Sequence, residues 1–295
     1  SRAAILVSNK NRTRRFALTM SSIVATKLFV PRPRPGYVER DHLKQRIQRG
    51  LFGPLTLVCA PAGFGKTTLV SSALQDTEPP VSWLSLDEQD GDIRRFMAGL
   101  CAAVAKNVDG FGEATRALLD SPQAQADALL VTQLNELAGL PTELVLVLDD
   151  YHAVDAVEVD EALAFFVEHR PPQLHWLIIS REDPALPLPR LRARGELVEV
   201  RSTDLRFSLE ETQQFFADTM ELALDEEQIA ALEQRTEGWI AGLQLAALSL
   251  QGRNDSAAFI QDFTGTHRFV IDYLAEEVLA RQDDDTRQFL IQCSI

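Results

Sequence analysis

A run of nine residues, Ala60-Pro-Ala-Gly-Phe-Gly-Lys-Thr-Thr68, has the composition and the setting of a phosphate-binding loop. It follows a short apolar segment and leads into a helical pattern, which is the context that this motif requires. Gly63 and Gly65 permit backbone conformations that turn successive N–H groups inward, so that the loop forms a concave anion nest. The following helix adds the positive end of its dipole. We therefore expect a nucleotide's phosphates to be held by Ala62, Gly63, Phe64, Gly65, Lys66, Thr67 and Thr68.

Two side chains of this loop have the chemistry to bind a triphosphate and its metal. Lys66 reaches the β- and γ-phosphates in such loops, and a hydroxyl in the position of Thr67 takes a place on Mg²⁺. Ala60 stands where the common pattern has its first glycine, which exchanges one small residue for another. The alternative is a glycine-rich turn with an unrelated lysine, and the strand before the loop and the helix after it argue against that alternative.

Two adjacent acids follow the most apolar segment of the chain. Leu144–Leu148 shows no polar alternation, which is typical of a central strand buried on both faces, and it leads into Asp149 and Asp150. An apolar strand that delivers a carboxylate is the arrangement that binds Mg²⁺ beside a phosphate loop. We assign Asp149 to the metal and Asp150 to the base that orients the attacking water. The alternative is an acid pair that only begins a loop.

An arginine follows another apolar segment, His175–Ser180. Ligands of parallel sheets bind at the carboxyl edge of the strands, where Arg181 would contact the γ-phosphate. By itself this signal is weak, because arginines often follow strands. A second basic group, formed by Arg190, Arg192 and Arg194, is expected to neutralise an acidic surface rather than to cover the nucleotide.

The elements that must position these residues are visible as apolar segments alternating with helical patterns, as in βαβ units. The apolar segments are Leu55–Ala60, Val81–Leu86, Leu144–Leu148, Leu174–Ser180 and Leu197–Val200. The helical patterns between them are Lys66–Gln75, Ile93–Ala105, Gln125–Ala138 and Val157–Val167. The predicted fold is α/β, a parallel-sheet P-loop NTPase domain over residues 22–206.

After about Phe207 the apolar strands stop and helical patterns continue alone. The first of these patterns begins with a capping box, Ser208 to Glu211. The patterns cover Glu210–Ala217, Asp225–Arg235, Trp239–Leu250, Ser256–Phe263, His267–Ala280 and Asp284–Ile291. We predict an all-helical region over residues 207–295.

Composition excludes several classes of protein. The 295 residues carry 29 basic and 43 acidic side chains, a net charge of -14, and such a surface repels a nucleic-acid backbone. The three cysteines, Cys59, Cys101 and Cys293, are too few and too scattered for a disulfide framework or a zinc site, so reduced thiols are expected. No apolar stretch reaches the 18 or so residues of a spanning helix. A cytoplasmic protein that does not contact membrane is expected.

The beginning of the chain differs in charge from the rest. Its first 19 residues carry five basic side chains and no acid, and residues 1–21 are expected to be a basic tail without fixed structure. One explanation is an organelle transit peptide, which is rich in arginine and poor in acids. The explanation we favour is a start site set too early, because organised sequence begins directly after Met20.

Taken together, the motifs resemble the ATPase module of the MalT-type, large LuxR-family transcriptional activators, which are STAND-class NTPases. The resemblance covers about Ser22 to Ile295. The matching pieces are Ala25–Leu43, Ala60–Leu69, Trp83–Asp92, Leu146–His152, Ile178–Leu197 and Thr236–Leu250. Phosphate loops occur in many families, whereas the last two of these pieces are far more specific. One departure is Gly91, where the family usually has a polar residue.

The resemblance implies further roles for residues of this chain. Val38 and Arg40 would lie beside the adenine and the ribose, and Arg181 would be the sensor arginine. The Gly238-Trp239 turn would take the place of a nucleotide-sensing loop in a winged-helix-like region. The family continues with a helical-repeat sensor and a C-terminal helix-turn-helix, so we expect residues 207–295 to be cut short and DNA to be bound only through a domain not present here.

The function that these observations predict is a nucleotide-dependent switch. Its cofactors would be ATP or ADP and Mg²⁺, its hydrolysis would be slow, and its ATP state would self-associate. The alternatives are a P-loop motor that uses ATP for mechanical work, and a nucleotide-binding scaffold with no transcriptional role. A motor would require a pore loop or an acceptor pocket, and neither is visible in the sequence.

Overall fold

A computed structural model describes residues 23–33, 36–251, 256–263 and 268–277 of the chain. The predicted basic tail, the predicted helix Asp284–Ile291 and Cys293 lie outside the described residues. The chain folds into two compact units. Of the described residues, the first contains 23–32, 41–59 and 67–201, and the second contains 33, 36–40, 60–66 and those from 202 onward.

The first unit is built around five strands, and each strand coincides with one of the predicted apolar segments. They are β1 (Leu55–Cys59), β2 (Val81–Ser85), β3 (Leu144–Asp149), β4 (Leu174–Ser180) and β5 (Leu197–Arg201). All pairings are parallel, in the order β2-β3-β4-β1-β5. Every residue of β1, β3 and β4 is buried, as expected for strands that helices cover on both faces. The predicted α/β class is confirmed.

Seven helices of this unit connect or flank the strands. They are α1 (Asp41–Gly50), α2 (Lys66–Ala73), α3 (Ile93–Ala105), α4 (Glu113–Leu119), α5 (Ala126–Ala138), α6 (Val157–Glu168) and α7 (Leu188–Ala193). Four of them match the predicted helical patterns. The sequence interpretation missed α1, α4 and α7, of which two are seven residues or shorter and show too few turns for a clear apolar period.

The second unit contains helices only among the residues described after Arg201. They are α8 (Ser202–Leu205), α9 (Leu209–Gln214), α10 (Glu226–Thr236), α11 (Ile240–Leu250), α12 (Ser256–Asp262) and α13 (Arg268–Glu277), with a short π-helix (Phe215–Thr219) directly after α9. The predicted capping box is present, with the Ser208 hydroxyl accepting from the Glu211 N–H and the Glu211 carboxylate accepting from the Ser208 N–H. The described residues of this region form helices, whereas the bounds 207–295 and the winged-helix part remain predictions. Phe216, Leu232 and Leu243 are at the centre of its core.

Two expectations about side chains agree with the structure. Cys59 and Cys101 are buried thiols that are not joined in a disulfide, and burial raises the pKa of Cys101 to about 12. The basic group on α7 pairs with acids, since Arg190 contacts Glu168 and Arg192 contacts Glu199, each at 2.7 Å. Among the described residues, no helix has the length and apolar character needed to cross a lipid bilayer.

His175 is a buried histidine at the amino end of β4 that is held neutral. Its Nδ1–H donates to the Gly53 carbonyl oxygen, and its Nε2 lies 3.2 Å from the Thr56 hydroxyl. Burial, with a smaller contribution from the charge of Arg170, lowers the pKa of His175 to about 4 even though the hydrogen bond to Gly53 opposes the shift. In the unfolded chain His175 therefore binds a proton near pH 6.5, whereas in the folded chain it binds one only near pH 4.

We expect the free energy of unfolding to fall as the pH is lowered from 6.5 toward 4, because protonation of His175 then favours the unfolded chain. The slope from this residue approaches about 1.4 kcal/mol per pH unit. Urea unfolding at several pH values measures it, and the His175→Gln variant, which does not titrate, is the matched comparison. Equal slopes for the two proteins would contradict the assignment.

Candidate functional site

The loop predicted to bind phosphate has the backbone that this function needs. Gly63 and Gly65 have φ of +77° and +72°, in the left-handed region that glycine adopts without strain. Helix α2 begins at Lys66, directly after the loop. The loop thus ends at a helix N-terminus, where the helix dipole and the main-chain N–H groups favour an anion.

The Lys66 ammonium lies back along the start of the loop. Its Nζ donates to the main-chain oxygens of Ala60 at 2.7 Å and Pro61 at 2.9 Å, and the residue is only 8 % exposed. A buried ammonium requires partners that compensate for its lost hydration. The loop carbonyls fix this charge beside the main chain that is expected to hold phosphates.

Thr67 and Asp149 are 82 residues apart in the chain and are in direct contact in the structure. The Thr67 hydroxyl lies 3.1 Å from Asp149 Oδ1 and 3.4 Å from Oδ2. Asp149 ends β3, is 3 % exposed and also accepts a bond from the Asp150 N–H at 3.0 Å. A hydroxyl and a buried carboxylate therefore meet beside the first turn of α2.

The donor set fits a magnesium ion that a nucleotide brings with it. Among the described residues there is no group of three or more His, Cys, Asp or Glu side chains that could hold a metal. Mg²⁺ does not need such a group, because it binds proteins through one or two carboxylates and completes its shell with phosphate oxygens and water. Thr67 and Asp149 supply oxygen ligands of this kind.

Asp150 has an unusual backbone for a residue that is not glycine. Its φ is +56°, and the side chain is about half exposed. Aspartate tolerates the left-handed region better than most residues, and such conformations concentrate at functional sites. His152 follows it, with Nδ1 4.0 Å from Asp150 Oδ1.

Arg181 lies at the same edge of the sheet as the two acids. It follows Ser180, the last residue of β4, which pairs with Cys59 at the end of β1. β4 lies between β1 and β3, so the arginine follows the strand that separates the loop strand from the acid strand. The structure brings Thr67 and Asp149 into contact. Asp150 and Arg181 follow the carboxyl ends of β3 and β4, at the same edge of the sheet.

Val38 and Arg40 have their side chains in the second unit. Val38 belongs to its apolar core. The Arg40 guanidinium donates to both oxygens of Glu211, at 2.8 and 2.9 Å, and to the main-chain oxygens of Asp204, Leu205 and Arg206. The sequence interpretation gave Glu211 a role in helix capping and missed this ion pair, because the two partners are 171 residues apart.

A cavity of about 830 Å³ lies at the opposite, amino edge of the sheet. It is lined by residues of α1 and by the segments that precede β2 and β3, among them Asp76, Glu78 and Glu143. Nucleotides bind parallel sheets at the carboxyl edge, and three acids repel phosphate. This cavity is therefore not the site that the motifs indicate.

Comparison with known proteins agrees with this geometry. No family model matches the sequence. The HTH-type transcriptional regulator MalT of Yersinia pestis (strain Pestoides F) is 35% identical over 278 residues, which are 92% of this chain and 30% of the relative. MalT of Yersinia enterocolitica is 34% identical over the same length. The chain is similar to MalT regulators over nearly all of its length.

This similarity confirms the predicted resemblance to MalT-type regulators, although the chain spans less than a third of the relatives' length. Two solved structures show the fold. The Walker-type ATPase of Pyrococcus abyssi has a TM-score of 0.56 at 14% identity, over 87% of this chain and 77% of that one. A STAND protein with a tetratricopeptide repeat sensor from Pyrococcus horikoshii has a TM-score of 0.50 at 15% identity, over 86% and 34%. The predicted P-loop NTPase fold is confirmed.

Proposed function

We propose that this chain is the ATP-binding and slowly hydrolysing switch module of a MalT-like transcriptional regulator. The observation that carries the proposal is the contact between the Thr67 hydroxyl and the buried Asp149 carboxylate beside a glycine loop. The similarity to MalT regulators and the fold shared with a Walker-type ATPase and a STAND protein support it.

The residues of the loop bind and orient the nucleotide in this proposal. Main-chain N–H groups of residues 62–68 surround the phosphates, and Lys66 neutralises the β- and γ-phosphate charge. Thr67 and Asp149 would hold Mg²⁺, which when bound offsets charge that develops on the phosphates. Val38 and Arg40 would lie beside the adenine and ribose through their main chain, because both side chains are engaged in the helical unit.

Hydrolysis is assigned to Asp150 and Arg181. The half-exposed Asp150 carboxylate orients a water for attack on the γ-phosphorus and accepts its proton, while the bond to the β-phosphate oxygen breaks. Arg181 contacts the γ-phosphate and so responds to its loss. A switch requires that ATP and ADP bind its two states with different free energies, and a γ-phosphate contact supplies such a difference.

DNA binding and assembly belong to the larger regulator in this proposal. The relatives are named as HTH-type regulators, and this chain spans 30% of their length. A net charge of -14 disfavours contact with a phosphate backbone, so we assign DNA binding to a part of the regulator outside this chain. We propose self-association in the ATP state, which analytical ultracentrifugation with ATP or ADP would test.

We expect slow hydrolysis by the isolated chain, on the order of 0.01 per second or less, because unassisted switch NTPases turn over in this range. Single- and multiple-turnover assays with labelled ATP measure the rate.

Asp150→Asn is expected to keep ATP affinity and to slow hydrolysis about 100-fold. Rapid multiple turnover would indicate a motor, and tight binding with no hydrolysis in either protein would indicate a scaffold.

A further inference from the structure

The tip of the phosphate-binding loop is bonded to the start of α11. The Trp239 indole N–H donates to the Ala62 carbonyl oxygen at 3.0 Å, and the Ala241 main-chain N–H donates to the Gly63 carbonyl oxygen at 3.0 Å. These residues all belong to the second unit, which includes residues 60–66. Both bonds engage loop carbonyls and neither involves the loop N–H groups that a phosphate would use.

Tyr273 of α13 reaches the same point of the loop. A Cβ placed on Gly63 would lie 2.9 Å from the Tyr273 hydroxyl oxygen, 2.8 Å from the Trp239 indole nitrogen and 2.5 Å from the Ala241 Cβ. The Trp239 and Tyr273 rings are 5.6 Å apart between centroids and meet edge to face at 62°. Gly63 is therefore needed both for its positive φ and because Ala241, Trp239 and Tyr273 together leave no room for a larger residue.

The turn before Trp239 fixes that side chain. Glu237 and Gly238 have φ of +50° and +69°. The Gly238 carbonyl oxygen accepts from the Phe207 N–H at 2.9 Å, and a Cβ on Gly238 would lie 2.5 Å from the Phe207 carbonyl oxygen. Trp239 thus follows a closely packed turn that fixes its position, while Tyr273 lies on a separate helix, α13.

We propose that Trp239 and Tyr273 form an aromatic latch, a pair of positioning residues that holds Ala62 and Gly63 in the conformation that binds phosphate. This inference rests on the proposed function. Any displacement of Ala62 and Gly63 moves the N–H groups of the nest, so the latch favours nucleotide binding. Coupling is reciprocal, and bound nucleotide stabilises α13 in contact with the loop by the same factor. Nucleotide occupancy is thereby linked to the position of α13.

Release of a fluorescent ADP analogue from preloaded protein tests the latch by stopped flow. Tyr273→Ala and Trp239→Phe are expected to speed release about 5–10-fold, which is at the lower end of known couplings. Leu274→Ala is the matched control, because Leu274 is the next residue of α13 and is 38 % exposed. Its release rate is expected to equal that of the unmodified chain.

A purely structural role would lower the unfolding temperature of nucleotide-free protein and leave the release rate unchanged, which would overturn the latch. Tyr273→Phe, which keeps the ring, is expected to speed release at least about twofold even if the alanine variant fails to fold. Hydrogen exchange over residues 268–277 should slow when ADP binds, and unchanged exchange would also contradict the proposal.

If the unmodified chain binds no ADP, the proposed function itself is wrong. Normal ADP binding with unaltered release in the variants rejects the latch alone.

Discussion

Replacing Lys66 by methionine is expected to weaken ATP binding at least 100-fold. The substitution keeps the aliphatic stem in its buried setting and removes the ammonium that lies on the Ala60 and Pro61 carbonyl oxygens. Charge-assisted bonds to phosphate contribute about 1.5–3 kcal/mol each, and about 2.7 kcal/mol corresponds to a factor of 100. Calorimetric titration with ATP in the presence of Mg²⁺ measures the change.

Lys44→Met is the control for loss of one positive charge, because Lys44 lies on α1 away from the loop sequence. It is expected to bind ATP as the unmodified chain does. Equal affinities of the Lys66 variant and the unmodified chain would show that the phosphates are not bound at this loop.

Replacing Asp149 by asparagine is expected to reduce Mg²⁺-dependent hydrolysis at least about 1,000-fold, because the metal ion that Asp149 would hold supplies several kcal/mol of charge stabilisation. The affinity for ADP without Mg²⁺ is expected to change little, since Asp149 acts through the metal. Thr67→Val should weaken hydrolysis as well. The increase in activation free energy in the double variant should be smaller than the sum of the increases in the two single variants, because the two side chains are in contact at 3.1 Å.

Asp155→Asn removes an exposed acid further along the same connection and is the matched control. It is expected to hydrolyse ATP at the unmodified rate. Hydrolysis that remains dependent on Mg²⁺ and undiminished in the Asp149 variant would mean that another group binds the metal. Strict additivity of the Thr67 and Asp149 substitutions would contradict a shared site.

The loop and the acid strand could be predicted because their signals are local. Two glycines, at 63 and 65, predict a loop with a left-handed backbone, and the lysine after them predicts a phosphate ligand. The structure shows positive φ at both glycines. The uninterrupted apolar run before Asp149 predicts a strand buried on both faces, and all residues of β3 are buried. Such patterns need no knowledge of distant partners.

Other features depend on contacts that the sequence does not encode locally. The sequence predicts five strands but not that β4 lies between β1 and β3. Arg40 has its partner Glu211 171 residues away. A helix around Tyr273 is visible in the apolar period, whereas its approach to Gly63 depends on how α11 and α13 pack.

The most direct measurement is a calorimetric titration of the chain, freed of any bound nucleotide, with ATP and ADP in the presence of Mg²⁺. We expect saturable heat at one site per chain for both nucleotides, and loss of that heat in Lys66→Met. No heat with either nucleotide, from protein that unfolds cooperatively, would contradict the claim that the main chain after β1 surrounds nucleotide phosphates.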